Sequence, residues 1–141
     1  MGMTNPFPEP DSPDLAPYTV YSRVEIIALL QSIGRPGTLT TVYFDQQASF
    51  AVIALLAVNP EFEEVVFDNA SDEMAQRRLL GAESLTFVAF IDHIKIQFSA
   101  RKAEPTMFEG RPAFRVRLPE QLLRLQRRDF FRVRTPITRM S

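Results

Sequence analysis

The amino-acid sequence predicts a mainly β domain, a small antiparallel barrel or sandwich carrying two short helices. Three observations predict it. Residues Ile94, Ile96, Phe98 and Ala100 alternate with Lys95, Gln97, Ser99 and Arg101, the period of a strand with one buried and one wet face. The pattern recurs at Phe114, Val116 and Leu118 against Arg115 and Arg117. Between Gly37 and Ile91 several runs rich in β-branched and aromatic residues are separated by turn signals, and only one short stretch among them carries helix boundaries.

In chain order, residues 1–17 hold five prolines (Pro6, Pro8, Pro10, Pro13, Pro17) and little to bury, so a disordered lead-in is expected. Ser22-Arg23-Val24-Glu25 fits a capping box and opens a helix with Val24, Ile27, Ala28 and Leu30 on its apolar face. Gly34 stops it, and Pro36 and Gly37 prevent its continuation. Thr38 to Phe44 reads as a strand. Ser49 to Val58 is one apolar run ended by Asn59-Pro60, with Glu64 to Phe67 as its hairpin partner. Residues 71–80 predict a second helix capped by Ser71 and stopped by Gly81, and Leu85 to Ile91 another strand. Pro119 at a first helical position, followed by Leu122 and Leu125, predicts one or two helical turns before β character returns at Phe130.

With 141 residues, 45% of them hydrophobic, the chain suits one domain with a single core. No apolar run approaches the roughly 20 residues that span a bilayer, and the acidic, proline-rich start is unlike a signal peptide. The expected location is the cytoplasm. There is no cysteine, hence no disulfide, thiolate nucleophile or sulfur ligand. The single histidine, His93, stands beside Asp92 between two strands as a turn residue, with no second histidine to complete a metal site. Glu61, Glu63 and Glu64 cluster around a turn as solvated acids, and the five glycines form no phosphate-binding loop. An enzyme is not expected, nor a resident cofactor or metal.

The net charge of −1 hides an asymmetry. Residues 1–100 carry five Lys/Arg against thirteen Asp/Glu, whereas residues 101–141 carry eleven against four. An anionic ligand is therefore sought at the basic end. There, Arg128 and Arg132 stand four apart, on one face of either a helix or a strand, beside Phe130 and Phe131. Guanidinium groups bind phosphate bidentately and stack on purines, so the cluster suits a ligand with phosphates and guanine bases. Nucleic-acid backbone, anionic lipid or solvent satisfies the same arginines.

The order of residues adds what charge cannot. Gln126-Arg127-Arg128-Asp129-Phe130-Phe131-Arg132 resembles the R-x-x-x-R signature at the entrance of PilZ domains, in the form carried by YcgR-type flagellar brake proteins. Tyr18 to Pro136 resembles that family's N-terminal part. The resemblance implies a split β-barrel over residues 18–123 and a linker over 124–141 leading into a PilZ domain. It implies that Arg128 and Arg132 clamp the phosphates and guanine of cyclic di-GMP, with Arg127 as a third contact. It further implies contacts with the flagellar motor or stator, a place at the basal body, and neither nucleic-acid binding nor membrane insertion. The family's second signature, Asp/Asn-x-Ser-x-x-Gly, is absent, so the chain is expected to be the N-terminal piece of a longer protein. Two other readings remain: a flavin-binding split barrel, and a basic tail holding nucleic acid nonspecifically.

Overall fold

The computed structural model describes residues 6–126. Among them the chain forms ten strands, two α-helices and short 3-10 segments at Pro13–Tyr18 and Pro60–Phe62. The strands are β1 (Thr19–Val20), β2 (Thr40–Phe44), β3 (Ser49–Ile53), β4 (Leu55–Asn59), β5 (Glu64–Asp68), β6 (Leu85–Ile91), β7 (Ile94–Ala100), β8 (Glu104–Phe108), β9 (Arg111–Arg117) and β10 (Leu122–Gln126). The helices are α1 (Arg23–Ile33) and α2 (Glu73–Gly81). All pairings are antiparallel: a six-stranded sheet in the order β1-β10-β7-β6-β2-β3 faces a four-stranded sheet in the order β4-β5-β9-β8. The two do not close into one continuous barrel, so the split, mainly β architecture stands.

The apolar run Ser49 to Val58 falls in two strands rather than one. Ile53 pairs with Thr40 in the larger sheet, while Leu55 pairs with Phe67 in the smaller. Ala54, at the change-over, keeps its carbonyl satisfied by the amide of Asp68 at 2.9 Å. Ile53 and Leu55 on either side of the change-over are buried, whereas Phe50 and Val52 keep their side chains on the outer face of the larger sheet.

Four phenylalanines join the layers. Phe87 stacks between Phe67 of the smaller sheet and Phe98 of its own, at 4.8 Å to each, and Phe114 lies 5.6 Å beyond Phe67. Helix α1 packs against β4 and β6. Ser22 caps it as expected, its hydroxyl accepting from the amide of Glu25, and Gly34 ends it. Its buried stripe is Ile26, Leu30 and Ile33, at i, i+4 and i+7; Val24 is left 79% exposed. The helix is apolar on most of its surface, so periodicity did not single out the inward face. For α2 the cap is Asp72 rather than Ser71: its carboxylate accepts from the amide of Ala75 at 3.1 Å.

Three further expectations are revised. Glu104–Phe108 is an edge strand the sequence did not announce; Pro105 within it is tolerated because one side of an edge strand has no partner. Leu122–Gln126 is strand rather than helix, so residues 124–126 belong to the sheet and not to a linker. Finally, Pro6 to Pro17 does not dangle. It lies along the outside of the six-stranded sheet, partly as the 3-10 segment capped by Ser12, and hydrogen-bonds to Tyr43, Lys95 and Gln97.

Candidate functional site

The three arginines singled out from the sequence, Arg127, Arg128 and Arg132, lie outside the described residues. The structure places the strand that delivers them. β10 is held between β1 and β7, with Leu123 opposite Gln97, Leu125 opposite Lys95, and Gln126 opposite Ile94. Ile94 opens β7 directly after the Asp92-His93 turn, whose two residues take φ of 47° and 68°. Gln126, the last residue of β10, therefore lies at the end of the sheet where this tight turn sits. His93 is an exposed turn residue there.

Side chains alternate along β10. Leu122 joins the core between the sheets, as does Ile96, the residue opposite Arg124. Leu123 and Leu125 face outward yet are also buried. Burial on both faces is why its leucines do not alternate with polar residues as a half-buried strand's do.

The outer face around Lys95 is the most elaborate polar arrangement among the described residues. Lys95, expected in water, is only 2% exposed. Its ammonium donates to the carbonyl of Phe7 and to Oε2 of Glu9, each at 2.7 Å. Beside it the side-chain amide of Gln97 grips the backbone of Glu9 twice. Oε1 accepts from the Glu9 amide at 2.7 Å and Nε2 donates to the Glu9 carbonyl at 3.1 Å. Further along, the Tyr43 hydroxyl donates to the Pro6 carbonyl at 2.7 Å, and the rings of Phe7, Tyr43 and Phe50 form a row with centroids 6.4 and 5.9 Å apart. Burial pushes the Tyr43 phenol above its ordinary pKa of 10.0.

Sequence reasoning missed this face because alternation reports only a strand's own pleat, and the cover comes from far away in the chain. Proline density was read as disorder. It equally lowers the entropy lost when a short segment docks in extended form.

Two clefts of useful size are described. One, of about 380 Å³, lies between the 3-10 segment and β7/β10 and is lined by Asp11, Ser12, Tyr21, Gln97, Ser99 and Glu120 among others. No lysine or arginine lines it, so it repels an anion. The other, of about 620 Å³, lies on the smaller sheet beside Phe62, Lys102, Arg115 and Arg117. Arg115 there is already bound by Glu104 at 2.9 Å, with Glu64 at 3.7 Å. Among the described residues no cluster of metal-ligating side chains occurs, and no helix is long and apolar enough to cross a membrane.

Two facing antiparallel sheets, held open and joined by a stacked phenylalanine core, define a β-rich domain of the split-barrel kind. Residues 18–124 match the family described as flagellar regulator YcgR, PilZN domain, and the chain belongs to that family. It is 37% identical over 128 residues to the flagellar brake protein YcgR of Janthinobacterium sp. (strain Marseille), a match covering 91% of this chain and 51% of that one. The chain thus spans about half the length of the curated relatives it matches. The fold is similar to crystal structures of YcgR from Escherichia coli in complex with c-di-GMP and of its YcgR-N domain. The TM-scores are 0.75 and 0.70, with 18% identity in both; the matches cover 84% and 78% of this chain and 50% and 96% of those.

Proposed function

We propose that the chain is the N-terminal regulatory domain of a cyclic-di-GMP-responsive regulator of flagellar motility, and that it is not an enzyme. One observation carries the reading. The family match runs to residue 124, the basic R-x-x-x-R segment follows at once, and the relatives carry as much chain again beyond the matched part. Arg128 and Arg132, assisted by Arg127, hold the phosphates and guanine of the dinucleotide at the junction with a following PilZ domain. The crystallisation of a structural neighbour with c-di-GMP supports this choice of ligand. Of the two clefts, the one beside the 3-10 segment carries no cation, and in the other Arg115 is engaged by Glu104 and Glu64.

Mechanistically, an arginine segment that orders around a ligand transmits to β10, since Gln126 is the last residue of that strand and is paired with Ile94. The orientation of this domain toward the next one then depends on whether ligand is bound, provided the ligand's contacts differ between the two arrangements. The output is a contact with a flagellar motor or stator component in the cytoplasm, at the basal body.

The test is a calorimetric titration of cyclic di-GMP into the protein continued to the full length of its relatives. Binding that is lost in Arg128→Ala and Arg132→Ala, with the fold intact, supports the assignment. Undiminished binding in both variants, or none in the unaltered protein, removes it.

A further inference from the structure

We propose that the outer face of the six-stranded sheet around Lys95 is a peptide-recognition site, filled in cis by residues 6–9. In trans it takes an extended partner segment with an aromatic residue two positions before a carboxylate. Residue types and geometry both point there. A lysine in mid-strand, 2% exposed, loses its hydration, a cost recovered only by close and well-directed partners. Both partners given to its ammonium, the Phe7 carbonyl and the Glu9 carboxylate, come from the docked segment and none from the sheet. The site is therefore built around an incoming chain.

Its readout is that of a peptide-binding surface. Gln97 satisfies both the amide and the carbonyl of one residue, as a neighbouring strand does, and Tyr43 takes a second carbonyl. These contacts reach backbone only and are indifferent to sequence. Selectivity resides at two positions: the residue whose ring meets Tyr43, and the residue whose carboxylate meets Lys95. The cis occupant supplies them as Phe7 and Glu9, spaced by Pro8, whose ring favours the extended form.

The cis filling is incomplete in a way that a permanent clasp is not. Phe50 and Val52 on the adjoining edge strand keep 61% and 51% of their surface in water. A partner that covers these apolar groups as well gains burial that residues 6–9 leave unused. The cis segment competes only through its tether, which gives an effective concentration on the order of millimolar.

The experiment uses the full chain with Glu9→Lys, which sets two like charges together and frees the site. Amide resonances are followed by NMR while a peptide of residues 4–12, with its native Phe7 and Glu9, is added. Saturable shifts at Lys95 and Gln97 are expected, with affinity weaker by about tenfold or more in the unaltered chain, where the tethered segment competes. Peptides carrying Glu9→Gln or Phe7→Ala lose about tenfold, and Lys95→Met in the receiving chain removes the preference for the carboxylate. If Glu9→Lys loses its dispersed spectrum, the titration is repeated on Phe7→Ala/Glu9→Gln, which introduces no new charge. Unfolding of both overturns the proposal, because the segment is then part of the core structure. So does a folded variant whose Lys95 and Gln97 resonances ignore millimolar peptide, or one that binds all three peptides alike.

Discussion

The ammonium of Lys95 and the carboxylate of Glu9 meet at 2.7 Å on the outside of the six-stranded sheet, across 86 residues of sequence. Their settings differ: Lys95 sits in a central strand, flanked by β6 and β10, whereas Glu9 belongs to the segment outside the sheet that runs into β1. Breaking a buried pair ordinarily costs about 3–5 kcal/mol, because the remaining charge stays buried. Here the remaining partner escapes. In Lys95→Met, Glu9 turns to solvent with its segment, so the expected loss is only about 1–2 kcal/mol, the scale of a few net hydrogen bonds. Denaturant unfolding measures it, with faster amide exchange at Glu9. A loss above the usual range for a buried pair would mean that residues 6–17 are needed to hold the sheet itself.

That pair also marks the limit of what the sequence disclosed. Elements defined by their own residues were legible: both ends of α1, the β6–β7 hairpin with its Asp92-His93 turn, and the alternation in β9. Features that depend on distant chain were not. Ala54 switches sheets because of pairings with β2 and β5, and nothing local marks it. The leucines of β10 fit a helical spacing as well as a strand buried on both faces, and only the segment outside the sheet decides between them. The proposal of a site at arginines 127, 128 and 132 rests on the order of their neighbours, since charge alone left several ligands open.

The stack Phe67–Phe87–Phe98 predicts a steep contrast among phenylalanines. Phe87 is fully buried with a ring 4.8 Å away on each side, so Phe87→Ala leaves a large cavity and costs about 3–5 kcal/mol. Phe50→Ala, at a ring 61% exposed, changes global stability by less than about 0.5 kcal/mol. Thermal unfolding of the two variants side by side checks the assignment of inner and outer faces.

At α2 the choice of cap is open to a direct comparison. Asp72→Ala removes the acceptor for the Ala75 amide and is expected to cost about 1 kcal/mol. Ser71→Ala removes nothing that the helix uses and is expected to be neutral. Equal losses would return the cap to Ser71.

The phenol of Tyr43 predicts an alkaline transition. Burial raises its pKa, so the folded state holds the proton over a range in which the unfolded chain has released it. The associated stability is complete below pH 10.0, the unfolded value, and is lost as pH rises through the folded one. The charged form also cannot donate to the Pro6 carbonyl, so the docked segment loosens in the same window. The difference in tyrosinate absorbance between the unaltered chain and Tyr43→Phe isolates the Tyr43 step, expected above pH 10.0. A Tyr43 step at the ordinary value would mean the hydroxyl is not buried.

Nucleotide binding at the junction predicts a selective response in β10. The strand is bounded by β1 and β7, and its last pair, Gln126 with Ile94, borders the arginine segment. Ligand held by Arg128 and Arg132 fixes that end, so amide exchange in Leu122–Gln126 slows on adding cyclic di-GMP to the protein continued to its relatives' length. The buried Phe87 core is expected to open only with global unfolding, so that its exchange changes no more than total stability does. Arg132→Ala abolishes the slowing without altering exchange in the ligand-free state. Uniform protection of every strand would indicate simple stabilisation by mass action, and protection confined to the smaller sheet would place the nucleotide beside Arg115 and Arg117 instead.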